Sequence, residues 1–416
     1  MIQALDKKST TISNVLLGLI AVFLVALVSI HKSYWIFLAI FSLAGLASLF
    51  RKKAILNTPS KYYILTSLFY VAVSVIIAFI HDDSLKRVKP SFYCLAAIPI
   101  FYLFFKYKIN KDYLYKIIYI VSIIYGMIAI YGRFILDFPR AFLNAGATIE
   151  SGMISSVLAF SSLSIAFFYF KKNNRDFLLS LCGFICGALG AVLSTSRGAL
   201  VVFPILFIFI LVTYYKKIKK YIPILIILTI ILSAAVYLVP QTGLKARVQL
   251  TENSLNKYYQ DNNANTSLGS RFALLKAGII GIERHPFIGY GEDGIKELRS
   301  KLVKEHLADP IILNSHLTAP GDYQNEFIQQ WLRRGIFGLI AVLAIFLFPL
   351  FYFLKVWKNS SFLEDRLVSS FGVIVVISYI FISLSDTPFR VQHSSAFYFI
   401  IIPILYSLMN RVMKRF

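Results

Sequence analysis

Long apolar blocks recur along this chain, and they limit its fold more than any other feature. Each is close to the roughly 20 residues a helix needs to cross a hydrocarbon core of about 30 Å. Twelve candidate spans are read, at about 12–30, 34–50, 62–80, 91–105, 113–131, 152–170, 177–194, 199–214, 221–240, 336–354, 367–385 and 395–410. Of the 416 residues, 58% are hydrophobic and only 15% are charged. A soluble domain carries about 25% charged residues. A soluble enzyme and a disordered chain are both excluded. The expected fold is all-α, a polytopic membrane protein with one large loop. Its organisation is read as a membrane domain over 1–240 (spans one to nine), a loop with short helices over 241–335, and a membrane domain over 336–416 (spans ten to twelve). The polar stretch Met1–Asn14 has no small-residue cleavage site, so the first span is read as an anchor and not a removed signal peptide.

Basic residues orient the spans, because Lys and Arg accumulate on the cytoplasmic side. They crowd the even-numbered connections: Arg51, Lys52 and Lys53; Lys106, Lys108 and Lys111; Lys171, Lys172 and Arg175; Lys216, Lys217, Lys219 and Lys220; Lys355, Lys358 and Arg366. Lys7 and Lys8 precede the first span, and Arg411, Lys414 and Arg415 follow the last. Both termini are therefore expected in the cytoplasm and the 241–335 loop outside. The net charge of +23 is assigned to this topology and to anionic headgroups, not to nucleic acid.

The long loop holds 12 Lys/Arg and 10 Asp/Glu. It carries helical pattern. Ile295, Leu298, Leu302, Val303 and Leu307 form one apolar stripe over 292–307. The more apolar 271–283 suits a helix lying at the membrane interface, ended by His285-Pro286 and followed by the turn Gly289-Tyr290-Gly291. Cys94, Cys182 and Cys186 all lie in apolar blocks, so no disulfide framework and no metal spacing is visible.

Charges at a membrane surface require an account. Arg197 lies in Ser194-Thr195-Ser196-Arg197-Gly198, a very short turn between spans. One reading is a cation snorkelling to headgroups. The other is an anion clamp, since the guanidinium fork matches phosphate oxygens and stays charged. Arg271, in Ser267-Leu268-Gly269-Ser270-Arg271, is a second candidate, and Arg133, Arg140, Arg333, Arg334 and Arg390 add to a basic outer rim. A third element, Gln324-Asn325-Glu326 through Arg334-Gly335-Ile336-Phe337-Gly338, joins the loop to span ten.

These three elements together resemble the bacterial O-antigen ligase and polymerase superfamily. The likeness rests on Ser196-Arg197-Gly198 after a span and on Ser-Leu-Gly-Ser-Arg (267–271) followed by an apolar helix and His-Pro-Phe-Ile-Gly-Tyr-Gly (285–291). Asn325, Gly335 and Gly338 fall at the family spacing. The likeness is clearest over about 194–340, with support from Arg140 and from Ser385-Asp386. It implies a C-type glycosyltransferase-like helical fold in the bacterial inner membrane. It also implies inverting transfer of glycan from undecaprenyl diphosphate to lipid A–core on the periplasmic face, without metal or nucleotide. Arg197, Arg271 and Arg140 would hold the diphosphate leaving group.

The family pattern places a His as base where this chain has Gln324, whose amide orients a hydroxyl but takes no proton near neutral pH. Another base is then expected. His316, eight residues upstream, is one candidate, and Asp322, Glu326 and Asp386 are others. Late deprotonation to water, or a different acceptor, are the remaining alternatives. An O-antigen polymerase shares the donor and the clamp. A flippase for lipid-linked sugar is disfavoured, because transporters place polar sites at mid-membrane.

Overall fold

A computed structural model of the protein describes residues 2–49, 56–223, 226–227, 234, 237–239, 242–260, 263–314 and 319–409. Among the described residues the secondary structure is helical throughout. Eight helices among the described residues are long and apolar enough to cross a membrane: Thr10–Ser29 (within α1, Ile2–Ser29), Thr58–Ile80 (α3), Lys111–Ile135 (with α5, Lys111–Ile130), Thr148–Tyr169 (α6), Asn174–Leu193 (α7), Arg197–Tyr221 (with α8, Arg197–Val201, and α9, Phe203–Ile218), Glu326–Asn359 (α13) and Leu363–Ser383 (α14). The chain is a polytopic membrane protein.

Four of the twelve expected spans look different. Tyr34–Leu49 (α2) is a 16-residue apolar helix. The span expected at 91–105 is split, with 3₁₀ turns over Lys89–Ala96 leading into a ten-residue α-helix, Ala97–Lys106 (α4). Pro99 has no N–H to donate at this junction, and its carbonyl packs so tightly on α2 that a Cβ on Gly45 would lie 2.2 Å from it. The last span is the 17-residue helix Gln392–Leu408 (α15). Most of the span expected at 221–240 lies outside the described residues.

Helix α6 is the centre of the bundle, and every residue from Glu150 to Phe168 is buried. Its serines let neighbours approach closely, as small residues do where lipid supplies no hydrophobic drive. Ser155 donates to the Gly187 carbonyl at 2.7 Å, and Ser156 to the Ala199 carbonyl at 3.1 Å. On α7, Gly183, Gly187 and Gly190 present one smooth stripe. A Cβ there would meet the Tyr119 carbonyl, the Ser122 hydroxyl and the Ser155 hydroxyl at 2.9, 2.3 and 2.5 Å. Cys186 packs at 2.6 Å on the position a Gly126 Cβ would take, and Cys94 is buried, so both act as small packing residues.

Between the Arg197–Tyr221 helix and α13 lies a helical unit with a core of its own. It comprises Leu244–Gln260 (α10), Gly269–Arg284 (α11) and Gly291–Lys304 (α12). Ala273, Leu274 and Ala277 of α11 face Ile295, Leu298, Leu302, Ile312, Tyr323 and Leu332. The helix expected to lie along the interface thus turns one face into this core and leaves Leu275 and Ile279 exposed on the other. Of the predicted stripe, Ile295, Leu298 and Leu302 are buried, while Leu307 lies beyond the end of α12 and is 47% exposed.

This unit is fastened to the bundle at a break in α13. Gly335 takes φ 61° and ψ −160°, open only to glycine, and a Cβ there would lie 1.8 Å from the Phe287 carbonyl oxygen. Ile336 N–H donates to the Pro286 carbonyl at 2.8 Å, Tyr290 N–H to the Leu332 carbonyl at 2.8 Å, and the Trp331 indole to Pro286 at 2.9 Å. Beside it, Glu292 pairs with both Arg333 and Arg334 at 3.1 Å. Arg334 also reaches the Tyr70 hydroxyl at 3.3 Å and Ser91 at 3.0 Å in the bundle. Asp83, just past α3, caps the start of α12 by accepting from the Glu292 and Asp293 N–H groups at 2.6 and 3.2 Å.

Candidate functional site

One cavity of about 90 Å³ opens at the end of the bundle that carries this unit. Arg140, Arg197, Arg271 and Asp386 line it, with Ile149, Thr195, Ser196, Gly198, Ser267 and Ser385. Four of the eight site residues expected from sequence therefore meet at one place, although 246 positions separate Arg140 from Asp386 (386 − 140).

Local chemistry explains how each arrives. After α7 the chain turns sharply at Thr195, whose φ is +54°. Ser194 Oγ accepts from the Ser196 N–H at 3.2 Å, and Ser196 Oγ from the Ala199 N–H at 3.4 Å, which restarts the helix at Arg197. The turn is pressed onto its neighbours: a Cβ on Gly152 would lie 2.2 Å from Ser194 Oγ, and one on Gly198 3.1 Å from Ser385 Oγ. These close approaches bring α6, the Arg197 turn and the Ser385-Asp386 turn together. Arg140 is tied to the same turn, donating from Nε to the Ser194 carbonyl at 3.0 Å.

Arg271 enters from the first turn of α11. Its Nε donates to Gln324 Oε1 at 2.7 Å, so the loop-exit residue holds the cation in place. Gln324 has φ +50°, and its N–H donates to Asp322 Oδ1 at 3.0 Å. Burial pulls the Arg271 guanidinium below its ordinary value, opposed by Asp386 and Asp322. Three guanidiniums and one carboxyl around a small cavity make a strongly positive, forked donor set, the chemistry that binds phosphate oxygens.

The remaining acids are occupied elsewhere. Asp322 pairs with Arg390 and accepts from Thr387 Oγ1 at 3.2 Å. Glu326 is 1% exposed and accepts from Gln330 Nε2 at 2.6 Å and from the Phe389 N–H at 3.2 Å. Asn325 N-caps α13, taking the Ile328 N–H at 3.0 Å, and donates to the Leu384 carbonyl at 3.2 Å. Asp386 differs in lining the cavity itself, and burial pushes its carboxyl above the usual range. His316 lies outside the described residues.

Sequence reasoning passed over Glu150. It is 5% exposed in the first turn of α6, beside the cavity-lining Ile149 and within electrostatic reach of Asp386 and Arg140. An acid in a first helical turn reads as an ordinary dipole partner, although its place at the start of an apolar span was a signal that could have marked it. Arg133, named as part of the rim, instead donates to the Phe138 carbonyl at 2.8 Å, and Arg333 and Arg334 turn inward to Glu292.

Residues 182–343 match the family model described as O-antigen ligase. An uncharacterized protein of Haemophilus influenzae is 29% identical over 386 residues, 92% of this chain and 95% of that protein. A protein of Escherichia coli named O-antigen ligase is 28% identical over 249 residues, 59% of this chain and 57% of that protein.

Proposed function

From a chain that carries an O-antigen ligase family domain over residues 182–343, we infer a glycosyltransferase of the bacterial inner membrane. It moves O-antigen glycan from undecaprenyl diphosphate to a hydroxyl of lipid A–core, at the periplasmic end of a C-type glycosyltransferase-like bundle of about twelve spans. Residues 241–335 form the periplasmic unit between membrane domains 1–240 and 336–416. The observation that carries this reading is the convergence of Arg140, Arg197 and Arg271 with Asp386 on one cavity.

The chemistry follows from charge. As the acceptor oxygen attacks the anomeric carbon from the opposite face, the bond from that carbon to the diphosphate oxygen breaks, and the leaving group takes the electron pair. Negative charge grows on the diphosphate. Arg197 and Arg271, backed by Arg140, meet it with preorganised donors, each worth roughly 3–4 kcal/mol in such a role. The acceptor proton goes to a base. Asp386 is the carboxyl on the cavity wall and takes that part. Gln324 holds Arg271 in register, and Asp322 holds Arg390 and the Gln324 backbone. Inversion at the anomeric carbon is the expected stereochemistry of one direct displacement.

Deletion of the gene in its native host tests the function on lipopolysaccharide gels. The expected result is core without a ladder, with polymer accumulating on lipid diphosphate. Core carrying a single repeat marks a polymerase instead, and an unchanged ladder rejects both.

A further inference from the structure

A second opening lies on the far side of α11 from the arginine cavity. It has a volume of about 580 Å³ and is lined by Tyr258, Tyr259, Lys276, His306, Asp309 and neighbouring apolar residues. That is within the usual size of small-molecule sites, roughly 300–1,000 Å³. Two tyrosine rings line it, and Phe272 packs against them. Tyr258 packs on Phe272 with ring centroids 5.1 Å apart and on Tyr259 at 5.4 Å. Lys276 Nζ stands 5.6 Å over the Tyr258 ring. Tyr259 is 71% exposed, so one aromatic face is presented to the outside on a supported platform.

The types of group here are specific. A flat aromatic face takes the C–H face of a pyranose ring, which is apolar, while sugar hydroxyls at the ring edge need donors and acceptors. Lys276 supplies a donor, Asp309 an acceptor and His306 either. A lipid chain gains nothing from Asp309 and His306, and a phosphate gains nothing from Asp309 or the rings. The two openings lie on opposite faces of one helix, α11. Ser267 and Arg271 line the arginine cavity, and Ala264, Ala273 and Lys276 line this one, so a single stretch of chain walls both. Arg271 and Lys276 are five residues apart on one helix, about 7.5 Å of rise.

We propose that the cleft at Tyr258, Tyr259, Lys276, His306 and Asp309 is a carbohydrate-binding subsite that holds a distal part of a hexose chain, across α11 from the diphosphate. This rests on the glycosyltransferase reading for its biological ligand. Donor glycan and acceptor core present the same chemistry to such a cleft, and the cleft is assigned to the donor, because the helix that carries Arg271 also walls it.

The test uses the full chain in nanodiscs of phosphatidylethanolamine and phosphatidylglycerol. O-polysaccharide and core oligosaccharide, each freed from lipid by mild acid, are titrated separately and followed by saturation-transfer NMR. O-polysaccharide is expected to bind the native protein. Tyr259→Ala is expected to weaken binding by at least about fivefold, the scale of one lost aromatic contact, and Tyr259→Phe to keep it. Tyr259 is exposed, so its truncation leaves the fold intact, and an unchanged melting temperature checks this. In transfer assays Tyr259→Ala should raise KM for a long lipid-linked donor and leave KM for a single-sugar donor unchanged. Binding of core oligosaccharide alone overturns the donor assignment. Equal binding by Tyr259→Ala and the native protein, or no binding of either glycan, overturns the subsite. A Tyr259-dependent glycan affinity in a protein with no transfer activity upholds the subsite and sinks the proposed reaction instead.

Discussion

Arg271 Nε donates to Gln324 Oε1 at 2.7 Å, so the residue standing where a family histidine is expected serves as the acceptor for a cavity arginine. A hydrogen bond to a charged group is worth about 1.5–3 kcal/mol. Gln324→Ala is therefore expected to lower kcat/KM by about tenfold to a hundredfold through a misaligned Arg271. Gln324→His tests the same contact by pH. Histidine tolerates the φ of +50° better than most residues. A neutral imidazole accepts from Arg271, whereas a protonated one cannot and repels it. Its transfer rate should fall as pH drops through about 6.5. A profile identical to that of the native enzyme would show that Gln324 plays no part in placing Arg271.

Arg197 tests the clamp itself. It stands on a turn built by Thr195 and Ser196, and its side chain lines the cavity with Arg140 and Arg271. Arg197→Ala should reduce kcat by about 10²–10³, the usual loss of one transition-state donor, with expression and melting temperature unchanged. Arg197→Lys should recover little, because a single ammonium does not reproduce a fork. Native rates in the alanine variant would make Arg197 a headgroup anchor.

Asp386 separates chemistry from stability. Its carboxyl is raised by burial, with Asp322 adding to the rise, so the fold favours the protonated form and ionisation destabilises it as pH climbs through that raised value. Asp386→Asn should accordingly hold or raise the melting temperature at neutral pH. As the base, Asp386 must be ionised, so native activity is lost as pH falls through the same raised value, and Asp386→Asn should lower the rate by about 10²–10⁴. His316→Ala, measured beside it, should keep the native rate. A reversal, with His316→Ala inactive and Asp386→Asn active, moves the base to the histidine.

The individual charges of this site were legible because a charge in an apolar chain must be explained. Arg140, Arg197, Arg271 and Asp386 could each be named from sequence. Their meeting could not, since it depends on contacts such as Gly152 on Ser194 and Gly198 on Ser385, which only helix packing reveals. The same limit applies to α11. Its apolar face looked like a membrane-interface helix until Ile295, Leu298 and Leu302 supplied a partner for Ala273, Leu274 and Ala277. Helix lengths were legible where a span was uninterrupted. At 91–105, Pro90 just ahead of the block and Pro99 inside it accompany its division into a 3₁₀ segment and a short helix.

The side of the membrane is tested by chemical labelling. Ser300 lies on the exposed face of α12 in the unit proposed to be periplasmic. With Cys94, Cys182 and Cys186 changed to alanine, Ser300→Cys should react with a membrane-impermeant maleimide in cells whose outer membrane alone is permeable. Labelling that appears only after the inner membrane is opened would reverse the topology and place the arginine cavity in the cytoplasm.

Gly335 is the joint between the helical unit and the bundle. Its backbone conformation is closed to other residues, at about 1–3 kcal/mol for the strain alone, and a Cβ would sit 1.8 Å from the Phe287 carbonyl oxygen. Neither atom can yield cheaply, because the oxygen is main chain, the Cβ is fixed on its own Cα, and Ile336 N–H is bonded to Pro286 next door. Gly335→Ala is therefore expected to push 285–291 off α13, breaking the Tyr290–Leu332 and Trp331–Pro286 bonds with it. Arg271 and Gln324 belong to the displaced unit, so transfer should be lost together with the fold of the joint. Limited proteolysis should cut between 241 and 335 faster than in the native protein. Gly18→Ala is the control: its Cβ meets nothing within 4 Å, and that change should leave both proteolysis and transfer alone. A Gly335→Ala protein that resists protease and transfers glycan normally would show that the unit does not need this joint to hold Arg271 over the cavity.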